Sequence, residues 1–125
     1  MTAAMVKAVI FDCDGVMFDT ARANRAYYGH LLARFGRPGL SDAQFEFVHM
    51  HTVDEALAHL FAGTEMLAAV RSYRLGMDYG PYLDLLQIEP ELKPLLRRLR
   101  PAHKTAVATN RTDTMRRLLS AHGLE

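Results

Sequence analysis

The amino-acid sequence predicts an α/β fold, in which two short parallel strands are separated by a helical insert. Residues 5–11 form an apolar run rich in Val, Ile and Phe without strict alternation, which is typical of a strand covered on both faces. A similar run lies in the segment KTAVATN, residues 104–110. Apolar residues between and after these runs recur with the helical period. Strands that alternate with helices are typical of a parallel sheet.

Four helices are predicted after the first strand. The apolar residues of the first helix are spaced at i, i+3, i+4 and i+7, namely Tyr28, Leu31, Leu32 and Phe35. Gly36 should end this helix. Ser41 can cap the second helix, and Thr52 with Glu55 forms a predicted capping box for the third. The fourth should restart at Gly63 and continue to about residue 76.

The rest of the chain contains a bend and two further helices. Gly80 and Pro81 are predicted to form a bend that leads out of the helical insert. The next helix has leucines along one face, namely Leu92, Leu95, Leu96 and Leu99. The last helix should run from Thr112 to Gly123, after the second strand.

Composition and charge limit the classes of function. With 125 residues, 50% of them hydrophobic, and a net charge of +1, the chain fits one soluble globular domain. Its 15 basic and 14 acidic residues are interspersed, so we expect neither a nucleic acid nor a membrane as partner. The apolar run at residues 6–11 is too short to span a membrane. A single cysteine excludes an internal disulfide and fits a reducing compartment, so we expect a cytoplasmic protein.

Polar side chains follow both predicted strands, and the carboxyl ends of parallel strands meet at one edge of a sheet. Asp12, Asp14 and Gly15 follow the first strand, and Thr109 and Asn110 end the second. Two carboxylates this close are tolerated when a cation lies beside them, and Mg²⁺ prefers oxygen ligands. Gly15 permits a tight turn that presents N–H groups to an anion. The pattern predicts a phosphoryl-transfer site with a carboxylate nucleophile.

Two sequence motifs carry a resemblance to a known family. The segment FDCDGV followed by FDT resembles the first motif of the haloacid dehalogenase superfamily, and AVATN is similar to its second motif. The helical insert, residues 17–88, is similar to the α-helical cap of the phosphoglycolate phosphatase-like and β-phosphoglucomutase-like branch. The resemblance implies that residues 1–16 and 89–125 belong to a Rossmann-like core.

The resemblance also implies roles for the residues at the strand ends. Asp12 matches the nucleophile and a Mg²⁺ ligand, and Asp14 matches the general acid/base whose backbone carbonyl also binds the metal. Thr109 and Asn110 match the residues that hold the phosphate, beside the turn at Gly15. An acid at Asp14 favours phosphate esters, because halide departure needs no proton. The expected partner is therefore a small phosphorylated metabolite, handled by a phosphatase or a phosphomutase.

Two further motifs of that superfamily have no counterpart in the sequence: a lysine beside the phosphate and an acidic pair on a later strand. Lys93 and Lys104 precede the second strand, so neither matches that lysine. We therefore expect this chain by itself to have little phosphatase activity. Because a two-stranded sheet has open edges, we expect a longer native chain or strands from another molecule, and self-association through those edges.

Other classes of function remain open at this point. One is a catalytically silent module that binds phosphate or Mg²⁺, and another is an assembly module that uses the open sheet edge. A calcium loop that starts at Asp12 is excluded, because Val16, Met17 and Ala23 stand where it needs an oxygen ligand, a glycine and a glutamate.

Individual side chains near these motifs have alternative interpretations. Cys13 is expected to be buried and to point away from the aspartates. Arg111 could contact substrate or be a solvated side chain at a helix entrance. His51, Glu55 and His59 share one helical face that could hold a metal, although an exposed polar face is the favoured interpretation.

Overall fold

The computed structural model describes residues 5–109, 111 and 114–124. The strands are β1 (Ala8–Phe11), β2 (Phe18–Asp19), β3 (Gln87–Ile88) and β4 (Lys104–Val107). The helices are α1 (Ala21–Arg34), α2 (Asp42–His49), α3 (Val53–Leu60), α4 (Leu67–Leu75), α5 (Gly80–Leu83), α6 (Leu92–Leu99) and α7 (Met115–Ala121). The predicted α/β class is confirmed.

The chain divides into two compact units. The sheet unit comprises Met1–Thr20 and Leu86–Glu125, and the helical unit comprises Ala21–Leu85. In this division residues 17–20 and 86–88 fall in the sheet unit, although the sequence prediction assigned 17–88 to the insert. The cap and core roles of these segments stay a prediction.

Strands β1 and β4 pair in parallel, as predicted. Ala8 lies opposite Lys104, and Phe11 lies opposite Val107. The Ala108 amide donates to the Phe11 carbonyl at 2.9 Å, so the pairing continues one step beyond the strands. Both strands therefore end at the same edge of the sheet, which is where ligands bind in parallel α/β folds.

Strand β1 is covered on one face only, in contrast to the prediction. Exposed and half-buried residues alternate along it, and Ile10 keeps 65% of its surface. This period of two is typical of a strand that packs on one side. The strand is also shorter than predicted, because it begins at Ala8 and leaves Met5 and Val6 exposed outside it.

A second pair of strands was not predicted. Phe18 and Asp19 of β2 pair antiparallel with Ile88 and Gln87 of β3, at the two points where the chain passes between the units. Phe18 is 1% exposed, and its ring meets His122 edge to face at 4.9 Å. Two-residue strands have no measurable period, so pattern analysis could not detect them.

The four predicted helices of the insert are present, and one short helix is added. Helix α5 lies where the sequence predicted a bend, because Pro81 in its first turn has the backbone angle that a helix needs there. Helix α4 begins at Leu67, four residues later than Gly63.

Side-chain caps begin two of these helices. The Gln44 amide donates to Ser41 Oγ at 3.1 Å, and the Ser41 amide donates to Gln44 Oε1 at 2.9 Å, which completes a capping box. The capping box predicted for Thr52 is only half formed. The Glu55 amide donates to Thr52 Oγ1 at 3.2 Å, but the Glu55 carboxylate accepts from the Thr52 hydroxyl at 2.9 Å instead of its backbone amide.

The helical unit has its own apolar core. Its most deeply buried members are Leu31, Leu32, Leu57, Phe61 and Val70. The phenol of Tyr27, on α1, accepts a hydrogen bond from Arg74 Nε at 2.9 Å. These residues come from α1, α3, α4 and the α3 C-cap, so several elements depend on one core.

Helices α6 and α7 of the sheet unit follow the predicted leucine pattern. Leu92 and Leu96 of α6 are buried, as are Met115 and Leu118 of α7. The predicted start of the last helix at Thr112 lies outside the described residues. Within the described part of the chain, no helix is long and apolar enough to span a membrane.

Candidate functional site

A tight turn follows β1 and carries both aspartates. The Gly15 amide donates to the Phe18 carbonyl at 2.8 Å, and the amides of Met17 and Phe18 both donate to the Cys13 carbonyl, at 2.9 and 3.2 Å. Gly15 has φ +80°, where side chains are strained, although an added Cβ would meet nothing within 4 Å. Backbone conformation, and not space, therefore selects glycine here.

The Asp12 carboxylate is oriented by the backbone of this turn. The Cys13 amide donates to Asp12 Oδ1 at 2.8 Å. Asp12 is the first residue after β1 and is exposed. This hydrogen bond fixes one carboxylate oxygen, Oδ1, against the backbone of the turn.

Cys13 is fully buried between the two aspartates. Burial raises the pKa of its thiol to about 11, and the negative charge of Asp14 adds to that rise. The thiol is therefore protonated at neutral pH and is not a nucleophile. The expectation of a buried thiol is confirmed, and the direction in which the thiol points relative to the aspartates stays a prediction.

Arg111 joins the two strand ends. Its Nη2 lies 3.1 Å from Asp14 Oδ1, and its Nη1 donates to Thr114 Oγ1 at 3.1 Å. Only 11% of the Arg111 side chain is exposed, compared with 47% for Asp14. The guanidinium thus holds the carboxylate against the start of α7, and the solvated alternative for Arg111 is wrong.

Thr109 is anchored by the same residue. The Arg111 amide donates to Thr109 Oγ1 at 3.0 Å, so the oxygen accepts there and the hydroxyl proton remains able to donate to an anion. Asn110, the second residue predicted to hold phosphate, lies outside the described residues.

The structure brings the other predicted site residues to one edge of the sheet. Asp12 follows β1 and Thr109 follows β4, and these two strands are parallel neighbours. Arg111 donates to Asp14 Oδ1 through its guanidinium and to Thr109 Oγ1 through its backbone amide. Gly15 turns the backbone between them and β2. Their roles in chemistry stay a prediction.

The oxygen donors of this turn fit part of a Mg²⁺ site. Asp12 offers a carboxylate, and the hydrogen bonds of the turn use the Cys13 carbonyl and the Gly15 amide without the Asp14 carbonyl. Mg²⁺ keeps several waters and needs few protein ligands. Among the described residues, no group of three or more His, Cys, Asp or Glu side chains could hold a metal ion. The donor set therefore suits a metal that is completed by water and phosphate oxygens.

The histidines of the helical unit do not form a metal site. The Phe47 ring stacks with His51 at 3.8 Å and with His59 at 3.9 Å, with interplanar angles of 7° and 14°. Two rings at such distances must occupy opposite faces of Phe47, so the phenyl ring separates them. Both histidines are exposed, in agreement with the favoured interpretation of a polar face.

The sequence of residues 9–125 matches the family model of the haloacid dehalogenase-like hydrolases. The chain belongs to the haloacid dehalogenase superfamily. A hydrolase of this superfamily, subfamily IA, variant 1, from Geobacter sulfurreducens is 34% identical, with a TM-score of 0.83 over 95% of this chain and 58% of that chain. The family predicted from the two motifs, and its fold, are confirmed.

Two more distant solved structures share the haloacid dehalogenase fold. A putative phosphoglycolate phosphatase from Lactobacillus plantarum is 18% identical, with a TM-score of 0.71 over 92% of this chain and 55% of that one. A haloacid dehalogenase family hydrolase from Deinococcus radiodurans, solved with bound phosphate and sodium, is 22% identical, with a TM-score of 0.61 over 95% and 53%. This chain thus spans little more than half the length of these proteins. No curated protein sequence is a significant match.

Arg111 is the site residue whose role the sequence left open. Arg111 follows the strand end at Thr109, and the carboxylates of Asp12 and Asp14 follow the neighbouring parallel strand. The sequence therefore contained a signal for an ion pair at this sheet edge. Charge complementarity between residues at neighbouring strand ends would have favoured an ion pair over a solvated side chain.

Proposed function

We propose that the protein is a Mg²⁺-dependent phosphatase that hydrolyses a small phosphate monoester through a phosphorylated Asp12. The observation that carries this proposal is the arrangement at the sheet edge, where the Asp12 carboxylate is oriented by a backbone amide and Arg111 holds Asp14 beside Thr109. Membership of a hydrolase family and the phosphate bound to the Deinococcus radiodurans protein agree with this substrate class.

In the first half of the reaction, Asp12 Oδ2 attacks the phosphorus atom. The bond from phosphorus to the ester oxygen breaks, and Asp14 donates a proton to that oxygen, which leaves as an alcohol. The Thr109 hydroxyl donates to a phosphoryl oxygen. Bound Mg²⁺, held by the Asp12 carboxylate and the Asp14 carbonyl, would neutralise charge between the nucleophile and the phosphate.

In the second half, water attacks the phosphorus of the phosphorylated Asp12. The Asp14 carboxylate takes a proton from this water, and the bond from phosphorus to Asp12 breaks to release phosphate. Asp14 therefore ends the cycle protonated, ready to donate again. In this proposal the helical segment 17–88 acts as a cap that selects the leaving group, and the protein works in the reducing cytoplasm.

Arg111 is the positioning residue for Asp14 in this proposal. We expect Arg111→Gln to lower turnover about tenfold, because it removes the buried guanidinium that pairs with the half-exposed Asp14 carboxylate. The loss should fall on kcat more than on KM, and Arg111→Lys should restore part of it. The matched control is Arg116→Gln on the exposed face of α7. An equal loss in both variants would argue against a specific role for Arg111.

Metal removal tests the proposed function directly. Protein isolated from its native source should hydrolyse p-nitrophenyl phosphate with Mg²⁺, lose this activity in EDTA and recover it when Mg²⁺ is restored. The intact mass of the same preparation should be measured and compared with 14.1 kDa, the mass of this chain.

A catalytically silent module is the second candidate. In this candidate the Asp12 carboxylate and the Thr109 hydroxyl bind Mg²⁺ and phosphate at the same sheet edge, and no ester is hydrolysed. Binding of Mg²⁺ and phosphate in calorimetry, without any hydrolysis by the native protein, would support this candidate and contradict the phosphatase proposal.

A further inference from the structure

The guanidinium of Arg111 is held at both of its terminal nitrogens. Its Nη2 lies 3.1 Å from Asp14 Oδ1, and its Nη1 donates to Thr114 Oγ1 at 3.1 Å. Because a guanidinium is planar and rigid, hydrogen bonds from both terminal nitrogens leave it a single orientation. Thr114 therefore helps to determine where the nitrogen that contacts Asp14 lies.

The hydroxyl of Thr114 does not cap α7, although Thr114 stands at the N-cap position of that helix. Threonine is favoured there because its oxygen can accept from a backbone amide of the first helical turn. In this helix the side chain makes no such hydrogen bond, and the backbone angles φ −93° and ψ −10° are helical instead of extended. The oxygen accepts from Arg111 instead. The start of α7 thus gives no reason for the hydroxyl, whereas the guanidinium does.

Thr114 is a rigid support for the guanidinium. The residue is 9% exposed, and its carbonyl accepts from the Leu118 amide at 3.0 Å in the first turn of α7. Its neighbour Met115 and Leu118 are both buried. A side chain on a packed helix start has little freedom to move, so Thr114 Oγ1 is an acceptor at a fixed position.

The Asp14 carboxylate is much more accessible than this support. Its side chain is 47% exposed and lies on the turn that follows β1. Water competes for a carboxylate at such a site, so a pairing with a mobile arginine would orient it weakly. The hydrogen bond from Arg111 to the buried threonine fixes the Nη2 donor, and the carboxylate then aligns with a donor that does not move.

We propose that Thr114 is a positioning residue of the phosphatase site, which fixes the Arg111 guanidinium and, through it, the Asp14 carboxylate. This role rests on the proposed function, because Asp14 is the acid and the base of that reaction. Thr114 acts on proton transfer through Arg111 and not on the binding of substrate. Its loss should therefore lower kcat and leave KM unchanged.

The test is a pair of Thr114 substitutions in the native protein. Thr114→Val keeps the branched shape and loses the acceptor, and we expect it to lower kcat for β-glycerophosphate about five- to tenfold. Thr114→Ser keeps the oxygen and should retain most of the native kcat. Because p-nitrophenolate leaves without a proton, turnover of p-nitrophenyl phosphate should fall less. Both KM values should stay within about twofold of those of the native protein.

Thr105→Val is the matched control. Thr105 Oγ1 accepts from Arg100 Nε and Nη2 at 3.3 and 3.0 Å, so this variant also removes the acceptor of an arginine in the sheet unit. Thr105 lies near the amino end of β4, whereas the candidate site follows the carboxyl end of that strand. The control should leave kcat for both substrates unchanged, and equal losses in Thr105→Val and Thr114→Val would overturn the proposed role.

A double-mutant cycle tests whether Thr114 acts through Arg111. Arg111→Met removes every donor of the side chain, so adding Thr114→Val to it should change kcat by less than about twofold. Losses that multiply in the double variant would show that the two residues act independently, and would overturn the role. Equal losses of kcat in Thr114→Val and Thr114→Ser, with equal falls in melting temperature, would leave Thr114 a structural role only.

The Asp12→Asn variant separates a failure of this role from a failure of the proposed function. If Asp12→Asn abolishes turnover while Thr114→Val behaves like the native protein, the phosphatase proposal stands and the role of Thr114 is wrong. If Asp12→Asn retains full turnover, the phosphatase proposal is wrong, and the role of Thr114 is wrong with it.

Discussion

Replacing Asp12 by asparagine should reduce Mg²⁺-dependent phosphatase turnover of the native protein at least about a thousandfold, because the amide is not a nucleophile. The change is nearly isosteric, and the amide oxygen can still accept from the Cys13 amide, as Oδ1 does now at 2.8 Å. The geometry of the turn should therefore survive, and only the reacting group should be lost. The measurements are kcat for p-nitrophenyl phosphate and the melting temperature, each for the native protein and for the Asp12→Asn variant.

The leaving group separates the roles of the two aspartates. Asp14→Asn should slow an alkyl phosphate by about 10²-fold or more, because that alkoxide needs a proton, and should slow the release of p-nitrophenolate much less. Asp12→Asn should slow both substrates alike. Asp84→Asn, at an exposed position of the helical unit, is the matched control. Full activity of the Asp12→Asn variant would show that Asp12 is not the nucleophile.

Replacing Leu31 by alanine should lower the free energy of unfolding by about 2 to 5 kcal/mol, since the change leaves a cavity in a packed core. Leu31 has no exposed surface and lies in the core of the helical unit. The measurement is a urea titration followed by circular dichroism. Leu75→Ala is the matched control, because Leu75 keeps 79% of its surface exposed, and it should change stability by less than about 0.5 kcal/mol.

A third substitution separates packing from side-chain identity. Leu31→Met retains most of the volume and should cost less than about 1.5 kcal/mol. If Leu31→Ala and Leu75→Ala destabilised the chain equally, the helical unit would have no packed core around Leu31. A change in the slope of the urea dependence would show that the two units unfold separately.

The helices of the insert could be located from the sequence because their signals are local. Leucine spacing and the glycine at residue 36 are contained within one or two turns of chain, and so is the Ser41 cap with Gln44. The pairing of β2 with β3 has no such signal, since it joins residues about 70 positions apart in two-residue strands. Helix α5 was missed because Gly80 and Pro81 favour turns and first helical turns alike.

The site was predictable in its residue types and not in its contacts. Asp12, Asp14, Gly15 and Thr109 were chosen because they follow two apolar runs, and the parallel pairing of those runs places them at one edge. The ion pair of Arg111 with Asp14 spans 97 residues and exists only because β1 and β4 are neighbours.

The sequence by itself was sufficient for the fold class, the family and the residues that carry the candidate chemistry, because each depends on periodicity or on a short motif. The one-sided burial of β1, the complete burial of Cys13, and the ion pair between Arg111 and Asp14 depend on tertiary structure. Burial and charge pairing are set by which distant segments meet, and that information is spread over the whole chain instead of any one segment.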